Sequence, residues 1–169
     1  MKEYSDGIAE AVRCFLDSNG WCYSFDKRKG IFCFILKIGD SLRGIDYQIH
    51  IEKKDYIVYA YFPIGIPNQD RIMMTKMNEY ISRANYGIKP GNFEIDLDQG
   101  EIRYKYYVCC EGNLIPNNDI IEESINVPGA MFRRYISGAI GVLFRNKSPA
   151  DMVKQWPTEL LDVFMEYDS

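Results

Sequence analysis

Side chains able to act as a catalytic base or nucleophile are sparse in this chain of 169 residues. His50 is the only histidine, so any Ser–His or Cys–His arrangement would have to use it. It stands between Gln48 and Glu52 on the polar side of an alternating run, which is typical of a solvated strand residue. The sequence therefore indicates no catalytic residue, and we expect a protein that is not an enzyme.

Cysteine chemistry is the next candidate. The chain contains Cys14, Cys22, Cys33, Cys109 and Cys110, without a C-x-x-C pair. One histidine and scattered thiols do not make a familiar zinc site. We interpret most of these thiols as small apolar core residues, with oxidant sensing by the adjacent pair, Cys109 and Cys110, as the alternative. No metal and no cofactor are expected.

Carboxylates concentrate in one predicted hairpin. It carries Glu94, Asp96, Asp98 and Glu101. Paired carboxylates can serve as acid and base in glycoside hydrolysis, and a carboxylate cluster can bind calcium, although the EF-hand pattern is missing. Cross-strand pairing with Arg103 and Lys105 explains the charges more simply.

Phosphate-binding motifs are also missing from the sequence. The closest candidate, Ile64–Asn68, has one glycine and no following Lys-Ser or Lys-Thr, so it is not a P-loop. The basic turn Lys27–Lys29 is short enough to be simply solvated. Acidic residues exceed basic ones and give a net charge of −4, whereas nucleic-acid-binding domains usually carry a basic excess. We therefore expect no nucleic-acid partner.

Hydrophobic periodicity predicts one helix and then four strands in the first part of the chain. Ser5 or Asp6 can cap the helix, and Asn19-Gly20 can end it. The strand patterns cover Trp21–Phe25, Ile31–Ile38, Ile45–Ile51 and Tyr56–Phe62. Lys54-Asp55 is expected to turn the chain between the last two. The run Ile31–Ile38 is apolar on both faces, which is typical of a central or helix-covered strand.

A second helix and a second hairpin follow. Asp70 can start the helix, and Asn85-Tyr86-Gly87 can end it. Its expected buried stripe consists of Ile72, Met73, Met77, Tyr80, Ile81 and Ala84. The inward side chains of the hairpin are predicted to be Phe93, Ile95, Leu97, Ile102, Tyr104, Tyr106 and Val108.

A third helix is predicted from Asn118 to about Asn146, with a break or kink at Pro128-Gly129. Gly138 and Gly141 lie inside this helix, where each costs about 1 kcal/mol relative to alanine. Glycines in such positions usually permit close packing, so we expect the helix to lie tight against the sheet, another helix or a second copy.

The order of elements predicts an α+β fold, with an antiparallel sheet split by a central helix and helices packed on one face. We assign residues 1–148 to a single domain. Residues 149–169 are predicted to form an amphipathic helical tail packed on it.

Aromatic residues make up 14% of the chain, and the sheet face away from the helices is a candidate protein-binding surface. Tyr59, Tyr61 and Tyr107 are predicted to lie there. Trp156 and Phe164, in the C-terminal tail, are expected to cover this surface or contribute to it.

The N-terminal residues lack the pattern of a signal peptide, and the longest apolar run, Ile31–Leu36, is far shorter than a membrane span. An odd number of cysteines without a spaced framework favours a reducing compartment. We expect a soluble cytoplasmic protein without membrane contact.

Residues 83–104, which read RANYGIKPGNFEIDLDQGEIRY, resemble a known protein family. A helix ending in Asn85, a Gly91-Asn92-Phe93-Glu94 strand and an acidic-glycine turn at Asp98-Gln99-Gly100 resemble the YbjN-like family. The likeness continues upstream through Ala60–Pro63 and covers roughly residues 20–146. Members are often described as bacterial sensory transduction regulators, and no catalytic residues define the family.

The family is similar in fold to type III secretion chaperones, but this chain has one early strand more, at Trp21–Asp26. The resemblance implies a bacterial protein-binding module of chaperone or adaptor type, with a protein partner and a homodimeric state. Strand addition and helix-in-groove docking are the two binding modes we expect. The alternative is a sensory-transduction regulator that responds to a signalling partner or a small ligand.

Overall fold

The computed structural model describes residues 3–37, 44–67 and 70–154. The helices are α1 (Asp6–Ser18), α2 (Arg71–Asn85), α3 (Asn118–Arg145) and α4 (Pro149–Lys154). The strands are β1 (Tyr23–Asp26), β2 (Ile31–Leu36), β3 (Ile45–Ile51), β4 (Asp55–Tyr61), β5 (Asn92–Ile95) and β6 (Ile102–Cys109). This order confirms the α+β prediction, including a helix inserted between the fourth and fifth strands.

The strands form one sheet in the order β1-β2-β3-β4-β6-β5, and every neighbouring pair is antiparallel. The additional early strand is β1, which pairs with β2 and forms one edge. Strand β5 forms the other edge, because β6 lies between β4 and β5 and pairs with both of them.

One face of the sheet carries the core. Side chains alternate along each strand, and the alternate set that includes Tyr47, Tyr56 and Tyr104 is almost completely buried. Helix α3 packs on this face. The hydroxyl of Tyr56 lies 3.1 Å from Ser124 Oγ, and Tyr106 donates to Glu123 Oε1 at 3.1 Å. The helices therefore cover one face, as the sequence predicted.

Side-chain caps set where the helices begin. Ser5 Oγ accepts from the amide of Ile8 at 3.3 Å at the start of α1. Asp70 Oδ1 accepts from the amide of Met73 at 2.9 Å at the start of α2. Each cap satisfies a backbone donor that has no partner within the helix, and both were expected from the sequence.

Three local expectations were wrong. Ile72 is 73% exposed because α2 turns Met74 inward instead. Leu97 is 58% exposed because β5 ends at Ile95 and Leu97 already belongs to the turn. The turn between β3 and β4 is formed by Lys53-Lys54, since Glu52 and Asp55 are joined by a backbone hydrogen bond and Asp55 is the first residue of β4.

Helix α3 continues through Pro128, so the first of the two predicted alternatives at Pro128-Gly129, a break rather than a kink, was wrong. A proline inside a helix lacks an amide donor and disturbs the carbonyls one turn earlier. Tyr47 Oη donates to the carbonyl oxygen of Ile125 at 3.0 Å. A hydroxyl from the sheet thus adds a hydrogen bond to the helical turn that precedes Pro128.

The two glycines of α3 allow close helix contacts, as predicted. A Cβ at Gly138 would overlap the hydroxyl oxygen of Tyr80 on α2. A Cβ at Gly141 would lie 2.6 Å from the Sδ of Met152 on α4. Tyr80 Oη donates to the carbonyl of Tyr135 at 2.8 Å, so the approach of α2 to α3 is also fixed by a hydrogen bond.

Candidate functional site

We call the second face of the sheet the open face. Among the described residues, no hydrogen bond joins a side chain on this face to a helix. Its central side chains are Ile31, Cys33, Ile35, Gln48, His50, Ile57, Tyr59, Tyr61, Arg103, Lys105 and Tyr107. The register places them side by side across β2, β3, β4 and β6. Exposed fractions of 63% for Ile35 and 52% for Tyr107 mark the ends of this surface.

The three tyrosines predicted for a binding surface all lie on the open face. Tyr59 and Tyr61 are half-buried, and their ring centroids are 6.3 Å apart. Tyr107 lies opposite Ile57 on the neighbouring strand, and its hydroxyl donates to Asp55 Oδ2 at 3.4 Å. Trp156 and Phe164 lie outside the described residues.

A charged group borders these rings. Arg103 Nε donates to Glu94 Oε2 at 2.9 Å, and Lys105 pairs with the other carboxylate oxygen of Glu94. Burial raises the pKa of Glu94, but hydrogen bonds from Lys105 and Arg103 outweigh it and hold the pKa below its ordinary value. The Arg103 guanidinium also lies 4.1 Å from the centroid of the Tyr59 ring, a favourable cation–π geometry.

His50 is part of this aromatic surface. Its Nε2 donates to Gln48 Oε1 at 2.9 Å, and its ring meets the Tyr59 ring edge-on at 5.1 Å. Burial lowers the pKa of His50, and the positive charge of Arg103 lowers it further. The interactions described for His50 hold its ring on the face, with Nε2 as a hydrogen-bond donor.

The acidic hairpin has structural roles. Glu94 forms the two ion pairs with Arg103 and Lys105 that the sequence analysis preferred. Asp96 Oδ1 accepts from the amides of Asp98 and Gln99 at 2.8 and 3.0 Å, which shapes the turn. No group of three or more His, Cys, Asp or Glu side chains suited to a metal ion occurs in residues 3–37, 44–67 and 70–154.

Cys109 and Cys110 lie on opposite sides of the strand end, as expected from strand geometry. Cys109 is exposed and Cys110 is buried. Cys14 and Cys22 are also exposed and Cys33 is half-buried, so the prediction that most of the thiols are core residues was wrong. Burial, followed by the neighbouring Cys109, raises the pKa of Cys110. That thiol is therefore kept protonated, the less reactive form.

Two features of the sheet were missed by the sequence analysis. The run Ile31–Ile38 was expected to be a central or helix-covered strand. Its strand β2 is central, between β1 and β3, but the exposure of Ile35 on its second face was not foreseen. The sequence signal for this exposure was the apolar character of the second face of β2, which marks an apolar surface open to solvent. The other feature is Asn85, whose side chain binds both backbone groups of Phe93 at the edge of β5. A polar residue at a helix end gives no sequence signal for such a contact.

One small cavity lies between α2, α3 and the core face. It has a volume of about 20 Å³ and is lined by apolar side chains that include Met77, Phe93 and Phe132. This space is close to that of a single water molecule. It does not accommodate an organic ligand in the observed conformation.

Comparison with protein-family models, curated proteins and solved structures finds no match. Among the helices of the described residues, none combines the length and apolar character of a membrane span.

Proposed function

We propose that this chain is a non-enzymatic bacterial protein-binding module, of chaperone or adaptor type, that acts in the cytoplasm. Its open face holds a segment of another protein. The observation that supports the proposal best is the placement of Tyr59, Tyr61 and Tyr107 on this face, together with Ile35 and Ile57, opposite the helix-covered core.

The chemistry of the face suits a polypeptide. Tyrosine presents an apolar ring and a hydroxyl, a combination enriched at protein interfaces. The two cations beside Tyr59 and Tyr61, Arg103 and Lys105, are both paired with Glu94. An apolar segment can therefore cover the rings without leaving these charges buried and unpaired, which would be costly.

The size of the face favours a segment as the partner. Five strand spacings of about 4.8 Å give a width of about 24 Å, and a seven-residue strand is about 24 Å long. The resulting area of about 600 Å² is below the roughly 800 Å² per partner of a standard interface. A helix or an extended stretch fits this area better than a whole domain surface.

Self-association belongs to the proposal as well. It is implied by the resemblance to the chaperones, and it would present more than one open face to the same partner. The alternative role is a regulator that responds to a small ligand. Two open pockets of about 510 Å³ are candidate sites for it, one lined by Glu94, Asp96 and Arg103 and the other by Glu79, Tyr86 and Lys154.

The test is co-purification from the native host after crosslinking, with two matched double variants. Ile35→Lys with Tyr107→Lys places charges on the open face. Ile72→Lys with Tyr86→Lys makes the same changes on and beside α2, at side chains that are 73% and 94% exposed. We expect one stoichiometric protein partner with the native chain and the α2 variant, and its loss with the open-face variant.

Equal recovery with both variants would contradict binding by the open face. Recovery of the chain without any protein partner would favour the regulator instead, if a small molecule that co-purifies with the chain also raises its melting temperature.

A further inference from the structure

The two edges of the sheet differ in a way that points to a partner for β1. In an antiparallel sheet, alternate residues direct their backbone groups to alternate sides. The bond from the amide of Ile51 to the carbonyl of Gly30 fixes this phase for β2. Through the register of β1 with β2, Tyr23 and Phe25 direct their backbone N–H and C=O groups away from the sheet.

The outward-directed backbone groups just before Tyr23 and just after Phe25 have hydrogen-bond partners. The amide of Trp21 donates to the carbonyl of Leu16 at 2.9 Å, and the carbonyl of Lys27 accepts from Tyr4 Oη at 2.9 Å. Among the hydrogen bonds of the described residues, the outward backbone groups of Tyr23 and Phe25 have none. At the opposite edge, Asn85 binds the corresponding groups of Phe93.

The side chains next to this edge are aromatic and half-buried. Trp21, Tyr23 and Phe25 contact the core from its margin. Phe25 stacks on Phe32 with ring centroids 4.1 Å apart. A strand added here would pair its backbone with β1 and cover the outer sides of these rings. An unpaired edge with apolar neighbours is a template for association.

We infer that the partner of this edge is β1 of a second copy of the chain, paired antiparallel about a twofold axis at Ser24. In this register Tyr23 of each copy lies opposite Phe25 of the other, and both outward residues form backbone hydrogen bonds. The contact is self-complementary, as a twofold interface requires. Each copy also adds an aromatic cross-strand pair, a stabilising combination.

Charge complementarity supports a second copy as the occupant. The basic turn Lys27–Lys29 directly follows β1, and the C-terminal end of α1 directly precedes it. That helix end carries Asp17 and has no basic residue in its last turn, so its dipole and its carboxylate are both negative. Antiparallel pairing brings the basic turn of each copy to the end of α1 in the other copy.

This inference rests on the self-association in the proposed function and names its surface. The twofold axis of such a pair is perpendicular to the sheet. Both open faces therefore look to the same side and form one surface about twice as wide. The face that binds a partner is enlarged, because none of it is used for dimerisation.

Cysteine crosslinking tests the register. Residues opposite themselves at the axis are a non-hydrogen-bonded pair with closely spaced Cβ atoms, which suits a disulfide. Ser24→Cys is made in a chain whose Cys14, Cys22, Cys33 and Cys109 are replaced by serine. We expect covalent dimers on mild oxidation. The control retains Cys22 and native Ser24, and it forms no covalent dimer because Cys22 lies opposite Asp26 of the other copy.

Sedimentation of the native chain across the micromolar range provides a second readout. We expect a concentration-dependent dimer that Lys27→Glu with Lys29→Glu weakens at least tenfold. Lys53→Glu with Lys54→Glu, the same charge change at another turn, should have little effect. A dimer equally sensitive to both variants, or equal crosslinking through Ser24→Cys and Cys22, would overturn edge pairing. A monomer at all concentrations would contradict self-association itself.

Discussion

The side-chain amide of Asn85 forms two hydrogen bonds with the backbone of Phe93. Its Nδ2 donates to the carbonyl at 2.9 Å, and its Oδ1 accepts from the amide at 2.8 Å. A residue at the end of α2 thus takes the place that a neighbouring strand would occupy beside β5. The sheet is closed at this edge and open at β1, and this asymmetry determines where another chain can add.

Replacing this amide should destabilise the fold. In Asn85→Ala the amide of Phe93 loses its partner at a partly buried position, which typically costs about 1–3 kcal/mol. Asn92→Ala is the control. Asn92 Nδ2 also donates to the carbonyl of Phe93, at 3.1 Å, but Asn85 still holds that carbonyl in this variant. Urea unfolding of the two variants measures the difference, and equal stability losses would contradict the role of Asn85.

Alanine substitution of the two glycines in α3 should give different results. Alanine is about 1 kcal/mol more favourable than glycine inside a helix. At Gly138 the new methyl group overlaps the rigid Tyr80 side chain, and overpacking of this kind costs about 1–3 kcal/mol. At Gly141 the neighbour is the flexible Met152 side chain.

We therefore expect Gly138→Ala to lower the melting temperature and Gly141→Ala to leave it nearly unchanged. A higher melting temperature for Gly138→Ala would mean that α2 and α3 are not held in close contact there.

Proline in the middle of α3 predicts a role for the Tyr47 hydroxyl. Tyr47→Phe removes the hydroxyl that donates to the carbonyl of Ile125, in the helical turn before Pro128. Loss of this buried hydrogen bond should reduce the free energy of unfolding by about 1 kcal/mol. Tyr61→Phe is the comparison, because that hydroxyl makes a longer bond of 3.4 Å to Gln48 on the half-buried open face. A larger effect of Tyr61→Phe in denaturant titrations would refute this assignment.

His50 should contribute to the pH dependence of stability. Burial and then Arg103 lower its pKa in the folded state below the ordinary value of 6.5. Between the two values the unfolded chain binds more protons, so stability falls as the pH drops below about 6.5. His50→Gln should reduce the loss of unfolding free energy between about pH 7.5 and about pH 5.5.

Glu94, a carboxyl on the same face whose pKa is also shifted, does not interfere with this measurement. The pKa of Glu94 is lowered from 4.5, so its contribution is lost only at lower pH. An unchanged pH dependence in His50→Gln would show that folding does not lower the pKa of His50.

The elements of the fold could be predicted because they depend on local chemistry. Caps such as Ser5 and Asp70 act within three residues, and alternation along β3 reports directly which side is buried. The exposure of Ile72 could not be predicted, since helical spacing places it near the buried stripe. Whether a side chain at that margin is buried depends on the position of the neighbouring elements. The continuity of α3 through Pro128 could not be predicted, because the contact of this turn with Tyr47 joins residues far apart in sequence.

The candidate site divides in the same way. Placing Tyr59, Tyr61 and Tyr107 on one face required only strand periodicity. Which groups pair across the face, such as Glu94 with Arg103, followed from the hairpin register. The free edge at β1 depends on strand order, and no local pattern at Tyr23 or Phe25 distinguishes an edge strand from a central one.

Site-specific photo-crosslinking in the native host tests the central claim most directly. A photoreactive amino acid replaces Ile35 or Tyr107 on the open face, and Ile72 or Tyr86 on the opposite side of the molecule serves as the control position. We predict an adduct with the same protein from both open-face positions and none from the control positions. Adducts of equal yield at all four positions, or none from the open face, would contradict a function in which this face holds a segment of another protein.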